Sequence, residues 1–195
     1  MLSRTAVSIL LISIMNICYY NDNIFRLFVI CIFFTCIGEC IYNYKYSLIN
    51  CGKRFTMMFY LYILLILNNI VYAYKLPVNI LYTIGILSSI SDISQYLFGK
   101  KFGKIYISNI SPHKTLEGYT CGFITLYLSY YILPFDILHH EYIICYLLSV
   151  CGDCISSYFK RRLHIKDWSL ILGETGGMLD RVNSHIAVGL YFIIK

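Results

Sequence analysis

Apolar runs set the limits on what this chain can fold into. Seven of them follow one another: roughly Ala6 to Tyr20, Ile24 to Tyr42, Phe55 to Tyr74, Leu76 to Gln95, Tyr119 to Leu138, Tyr142 to Phe159 and Ser184 to Ile194. A hydrocarbon core about 30 Å thick is crossed by about 20 helical residues, and most of these runs reach or approach that length. With 58% of its 195 residues hydrophobic, the chain carries more apolar surface than one soluble domain of this size can bury. The expected fold is all-α, a polytopic transmembrane helix bundle of about seven spanning segments. The first run follows Arg4 as a signal peptide would, but no small-x-small cleavage site follows and a second run begins almost at once. It reads as a spanning or anchoring helix.

Loop charge predicts the orientation, because Lys and Arg are retained on the cytoplasmic side. With the N-terminus cytoplasmic, the inner stretches hold Arg4, Lys45, Lys53, Arg54, Lys100, Lys101, Lys104, Lys114, Lys160, Arg161, Arg162, Lys166 and Arg181, thirteen of the sixteen basic residues. Arg26, Lys75 and Lys195 fall outside. The net charge of +6 is then mostly a topology signal, and it suits anionic lipid or a phosphorylated substrate on that face. Nucleic acid is a poor partner for a chain this apolar. The nine cysteines lie almost all within apolar runs, where a thiol packs as a small hydrophobe, so no disulfide framework is expected. Cys151 and Cys154 form a CxxC without the second pair of soft ligands that a structural zinc site requires nearby; core packing is the expected role. No repeat, low-complexity stretch or linker divides residues 1–195, which read as a single membrane domain.

Ionisable side chains at membrane depth are costly and therefore informative. Glu39, Asp92 and Asp153 qualify. Glu39 is expected near a helix end, reaching water. Asp92 leads into a loop where Gly99 and Gly103 alternate with Lys100, Lys101 and Lys104. That composition suits phosphate, although a basic cytoplasmic loop also follows from topology alone.

Asp153 leads into SYFKRRLHIKDWSLILGETGGMLDRVNS, a charged segment in a chain with only 13% charged residues. A helix continuing past Asp153 would carry Ser157, Lys160, Arg161, His164 and Asp167 at +4, +7, +8, +11 and +14, near one face. Gly173, Gly176 and Gly177 then precede Asp180 and Arg181. Such a loop can turn tightly, offer amides to a phosphate and return Asp180 toward Asp153. Carboxylates with lysines beside a glycine loop are parts used to hold magnesium and a nucleoside triphosphate. No GxxxxGK[ST] occurs, which excludes a P-loop enzyme.

These residues resemble the signature of the phosphatidate cytidylyltransferase (CDP-diacylglycerol synthase) family. Ser157, Lys160 and Arg161, Lys166 and Asp167, Gly176 and Gly177, Asp180 and Arg181, and Ser184 fall at the family's spacing. Upstream, SPHKTLEG resembles the family's SPxKTxEG element, Asp92 with Gly99, Gly103 and Lys104 matches the segment before it, and Gly152-Asp153 matches the family's GD. The resemblance covers about residues 90–190. It implies a catalytic, cytidylyltransferase-like part over 90–195 and N-terminal membrane helices over 1–89. Family members are usually longer at the N-terminus, so the chain reads as a compact version.

What the resemblance implies is transfer of CMP from CTP to phosphatidate, giving CDP-diacylglycerol and pyrophosphate at the cytoplasmic face of a membrane, with Mg2+ as cofactor. Asp153 and Asp180 would be metal ligands and Asp167 a third acid. Lys160, Arg161, Lys166 and Arg181 would hold phosphates, and Ser157 would donate a hydrogen bond. Lys104, Lys114, Thr115, Glu117, Gly176 and Gly177 would bind nucleotide or order its loop, while Ser111 and Pro112 shape the turn. A homodimer is a compatible assembly. Two positions depart from the pattern: Thr175 stands where the family has histidine, and Asn183 replaces the second aspartate of DRxD. His164 and His185 are the neighbouring histidines, and a lone histidine is more often structural. Related readings are a CDP-archaeol synthase, a polyprenol or phytol kinase, or a degenerate, non-catalytic membrane homologue.

Overall fold

The computed structural model describes residues 4–47, 52–107, 111, 114–133, 135, 137–173 and 176–195. Cys51, Pro112 and Thr175 lie outside them. Among the described residues seven helices follow in order: α1 (Arg4–Tyr19), α2 (Asp22–Ser47), α3 (Lys53–Lys75), α4 (Val78–Phe102), α5 (Leu116–Ser129), α6 (His139–Arg162) and α7 (Leu179–Ile194). Among the described residues there is no strand, only an antiparallel bridge between Tyr106 and Thr115. The all-α expectation holds.

Among the described residues three helices, over Asp22–Lys45, Lys53–Lys75 and His139–Arg162, are long and apolar enough to cross a membrane. Their outward faces expose large apolar side chains such as Leu27, Phe34, Leu61, Leu64 and Leu147. Water would penalise such surfaces and lipid does not, so a helical membrane protein is the class they define. Helix α4 is as long but turns a polar stripe inward, with Ser88, Ser91, Ser94 and Gln95 all buried.

Two apolar clusters build the interior. One gathers Phe33, Cys36 and Cys40 of α2, Phe59, Tyr62 and Ile66 of α3, Phe159 of α6, and Trp168 around Leu179, Val182 and Ile186 of α7. The other gathers Ile84 and Leu87 of α4, Leu126 of α5, and Tyr142, Cys145 and Tyr146 of α6 around Val188 and Phe192 of α7. Helix α7 thus serves both. Small residues bring the backbones close where polar groups must meet. A methyl group at Gly118 would fall 2.8 Å from Gln95 O across the α4–α5 contact, and one at Gly152 would fall 2.5 Å from Asn183 O across α6–α7.

Three sequence expectations are corrected. Helix α6 does not reach Asp167. It stops at Leu163, where His164 takes a left-handed φ of 58°. His164 N donates to Arg161 O (3.2 Å) and Ile165 N to Lys160 O (3.0 Å), the paired bonds of a Schellman end, which satisfy carbonyls that a helix otherwise leaves open. Cys151 and Cys154 do not pack in the core; both are exposed free thiols on α6, at positions that neither apolar cluster includes. Glu39 does not reach water but is 4% exposed, since it meets donors from the α7 region described below.

Candidate functional site

Helices α4, α5, α6 and α7 bring their polar ends around a cavity of about 560 Å3. Ten of the fourteen residues given catalytic, substrate-binding or metal roles from the sequence line it: Lys114, Thr115, Asp153, Ser157, Lys160, Arg161, Lys166, Asp167, Asp180 and Arg181. The end of α6 at Leu163 turns the chain back, so Lys166 and Asp167 still face the cavity although they leave the helix. Lys104, Glu117, Gly176 and Gly177 are not part of the lining. Glu117 acts on the adjoining turn. Its carboxylate accepts from Lys104 N at 3.0 Å and Ile105 N at 3.2 Å, and the Lys104 amide bond leads the effects that hold its pKa below the ordinary glutamate range. Thr115 caps α5, its Oγ1 accepting from Gly118 N at 3.2 Å.

The two glycines expected to offer amides to phosphate use them within the protein. Gly176 N donates to Gly173 O (3.2 Å) and Gly177 N to Asp180 Oδ2 (2.9 Å). Gly176 adopts φ 96°, a conformation that disfavours a side chain. Asp180 Oδ2 also accepts from Trp168 N at 2.8 Å, and its Oδ1 lies 2.6 Å from Lys160 Nζ. Asp180 therefore folds the turn as well as facing the cavity.

Opposite it, the Lys114 ammonium pairs with Asp153, approaches Gln95 Oε1 at 3.5 Å and lies 5.5 Å from the centre of the Tyr119 ring. Burial alone would push the Lys114 pKa down, but the Asp153 charge outweighs it and the ammonium titrates above the ordinary lysine range. Asp92, singled out in the sequence but given no site role there, lines the cavity beside Asp153. Its Oδ2 accepts from Ser184 Oγ at 2.7 Å and its Oδ1 from Ser149 Oγ at 3.4 Å. An acid in an apolar run was the signal for it. Asn183 also lines the cavity, while its own Oδ1 accepts from Ser184 N at 2.8 Å. Neither neighbouring histidine joins the polar lining: His164 is exposed at the end of α6, and His185 faces the second cavity.

That second cavity, about 240 Å3, lies between α1, α2, α3, α4 and α7 and is lined mainly by apolar side chains, among them Leu11, Met15, Phe28, Ile32 and Ile193. Asp92, Asp153, Asp180 and Arg181 line both cavities. A charged chamber and an oily one thus meet at the same side chains. Among the described residues no group of three or more His, Cys, Asp and Glu is gathered to hold a metal unaided. Asp153 and Asp180 do supply hard oxygen donors on one cavity. Each is paired with a lysine, Asp153 with Lys114 and Asp180 with Lys160; carboxylate oxygen is the donor type that magnesium takes, with water and phosphate oxygens in its remaining positions.

The fold and cavity define a helical membrane protein with a basic chamber beside an apolar one. The model of the cytidylyltransferase family matches residues 3–195, and the chain belongs to that family. Among its relatives, the phosphatidate cytidylyltransferase of Aquifex aeolicus (strain VF5) is 38% identical over 101 residues, covering 50% of this chain and 39% of the relative. That of Staphylococcus aureus (strain COL) is 37% identical over 108 residues, covering 51% and 42%. The uncharacterized protein YnbB of Escherichia coli (strain K12) is 37% identical over 120 residues, covering 55% and 40%. The matches span about two fifths of the length of these relatives.

Proposed function

We propose that the protein transfers CMP from CTP to phosphatidate, releasing pyrophosphate and leaving CDP-diacylglycerol in the membrane. One observation carries the reading: Asp92, Asp153, Asp180 and Arg181 border both the charged cavity and the apolar one. A reaction between a polar nucleotide and a lipid headgroup needs such a junction. Family membership and the printed names of the Aquifex and Staphylococcus relatives support cytidylyl transfer and phosphatidate as acceptor.

In this reading a phosphate oxygen of phosphatidate attacks the α-phosphorus of CTP. The bond from that phosphorus to the bridging oxygen of the β-phosphate breaks, and pyrophosphate leaves with the electron pair. Lys160, Arg161, Lys166 and Arg181 hold the phosphates and stabilise charge developing on the leaving group. Lys114, kept protonated beside Asp153, adds a further cation to the chamber. Ser157 donates a hydrogen bond, and Asp167 adds a third acid. Asp153 and Asp180 would hold magnesium, which when bound offsets the charge of the departing pyrophosphate. The basic ends of α4 and α6 and the start of α7 belong on the cytoplasmic side of a multi-pass topology, as the distribution of Lys and Arg supports.

The test is incubation of the purified chain with labelled CTP, magnesium and phosphatidate. Labelled CDP-diacylglycerol with stoichiometric pyrophosphate is the expected result, reduced at least about 100-fold in Asp153→Ala, as for loss of a transition-state charge partner. Wild-type rates in both Asp153→Ala and Asp180→Ala would remove the metal assignment. Transfer of the γ-phosphate to a polyprenol, with none of CMP to phosphatidate, would replace the reading with a lipid kinase.

A further inference from the structure

Helix α2 carries no residue of the charged signature, yet it reaches into the signature's turn. Glu39, buried in this candidate membrane span, accepts from Met178 N and Leu179 N at 2.8 Å each and from Ser169 Oγ at 2.6 Å. The first amides of a helix have no partner within it, and a carboxylate there also complements the helix dipole. One turn along α2, Asn43 Nδ2 donates to Glu39 O at 2.8 Å and to Trp168 O at 2.5 Å. A methyl group at Gly177 would lie 2.7 Å from each Glu39 carboxylate oxygen, so the glycine is what admits the carboxylate. From the other side Asp180 holds Gly177 N and Trp168 N. The turn is thus clasped between two carboxylates, one from α2 and one from α7.

A buried carboxylate in a membrane span is expensive unless its interactions compensate, and here all three donors belong to the segment that orients Asp180 and Arg181. We infer that Glu39 is a positioning residue for nucleotidyl transfer: it sets the start of α7, and through it the reach of Asp180 and Arg181 into the polar cavity. Glu39 itself is absent from that lining. The inference rests on the cytidylyl-transfer reading, and it locates part of the site's geometry in the N-terminal half of the chain.

Two readouts test it in the purified chain of residues 1–195. In Glu39→Gln one oxygen becomes an NH2 group that faces a backbone N–H. The expected result is a fall in kcat of about 10- to 100-fold, the scale of small misplacements of catalytic groups, with KM for CTP and for phosphatidate within about threefold of wild type. The protein's one tryptophan, Trp168, sits within the clasped turn and is 1% exposed. Its quenching by acrylamide should rise in the variant, which is independent of catalysis. A kcat within about twofold of wild type, or a lost rate with unchanged Trp168 quenching, overturns the inference. If Glu39→Gln aggregates, Ser169→Ala removes one donor from the same carboxylate. It should lower kcat and raise quenching in the same directions, and no change in either overturns the inference. A wild-type chain that transfers no CMP overturns the reaction reading, and the quenching measurement still decides whether Glu39 holds the turn.

Discussion

Lys160 Nζ lies 2.6 Å from Asp180 Oδ1, with the two side chains 13% and 8% exposed. The pair joins the end of α6 to the start of α7 at the edge of the polar cavity. Removing one partner of a buried pair leaves an uncompensated charge, which costs about 3–5 kcal/mol, whereas replacing both by apolar groups is often neutral. Asp180→Leu alone should therefore unfold at markedly lower temperature in detergent. The double variant Lys160→Met/Asp180→Leu should recover part of that loss while remaining inactive. Equal melting temperatures for the single and double variants would show that the pair is not coupled.

Gly152 tests how closely α6 and α7 must approach. In Gly152→Ala the new methyl group would fall 2.5 Å from Asn183 O and 3.1 Å from Ser184 Cα. Both are backbone atoms of α7, so the helices must separate. Overpacking of this kind costs about 1–3 kcal/mol, and here it moves Asp153 relative to Asp180. The expected outcome is a lowered unfolding temperature together with a loss of transfer rate, read by thermal scanning and by the CTP assay. A variant as stable and active as wild type would show that the contact can relax.

Acid should release the turn at residues 104–105 before the rest of the fold. Glu117 titrates below its ordinary value of 4.5 because Lys104 N and Ile105 N donate to its ionised form. A depressed carboxylate pKa stabilises the folded state at pH above the unfolded value, and that stabilisation is lost as pH falls through the folded value. Limited cleavage near Lys104 by an acid-active protease should rise in wild type as pH falls below the ordinary glutamate value of 4.5. In Glu117→Gln the pH step should be gone, and cleavage at neutral pH by a neutral protease should be higher than in wild type.

Asn183 faces the polar cavity where the family pattern carries an acid. An amide can coordinate through its oxygen but adds no charge. Asn183→Asp should therefore lower the magnesium concentration giving half-maximal rate, by about threefold to tenfold for one added carboxylate. Magnesium titration of wild type and variant measures it. An unchanged midpoint would place Asn183 outside the cation's reach.

The polar chamber was legible from the sequence because its parts are rare in so apolar a chain. Asp153, Lys160 and Asp180 each stand out by charge, and their grouping needs only one helix and a return turn. What spacing could not convey was direction. Gly176 and Gly177 look like a cradle for phosphate, but their amides point to Gly173 and Asp180. His164 fits the helical stripe by number, yet it ends the helix, since a left-handed residue at that position is decided by local bonds rather than by periodicity. Glu39 was opaque for another reason. Its partners lie about 130 to 140 residues away, and no local pattern reports a contact at such separation.

The sharing of α7 between two apolar clusters has a mechanical meaning. Leu179, Val182 and Ile186 anchor it in one cluster, and Val188 and Phe192 in the other. A helix wedged on both sides behaves as a keel: it cannot tilt toward one cluster without opening a void in the other, and voids in packed interiors are penalised. Asp180 and Arg181 ride on that keel. Any movement that opens either cavity therefore falls to the elements around α7, while the charged end of α7 stays still.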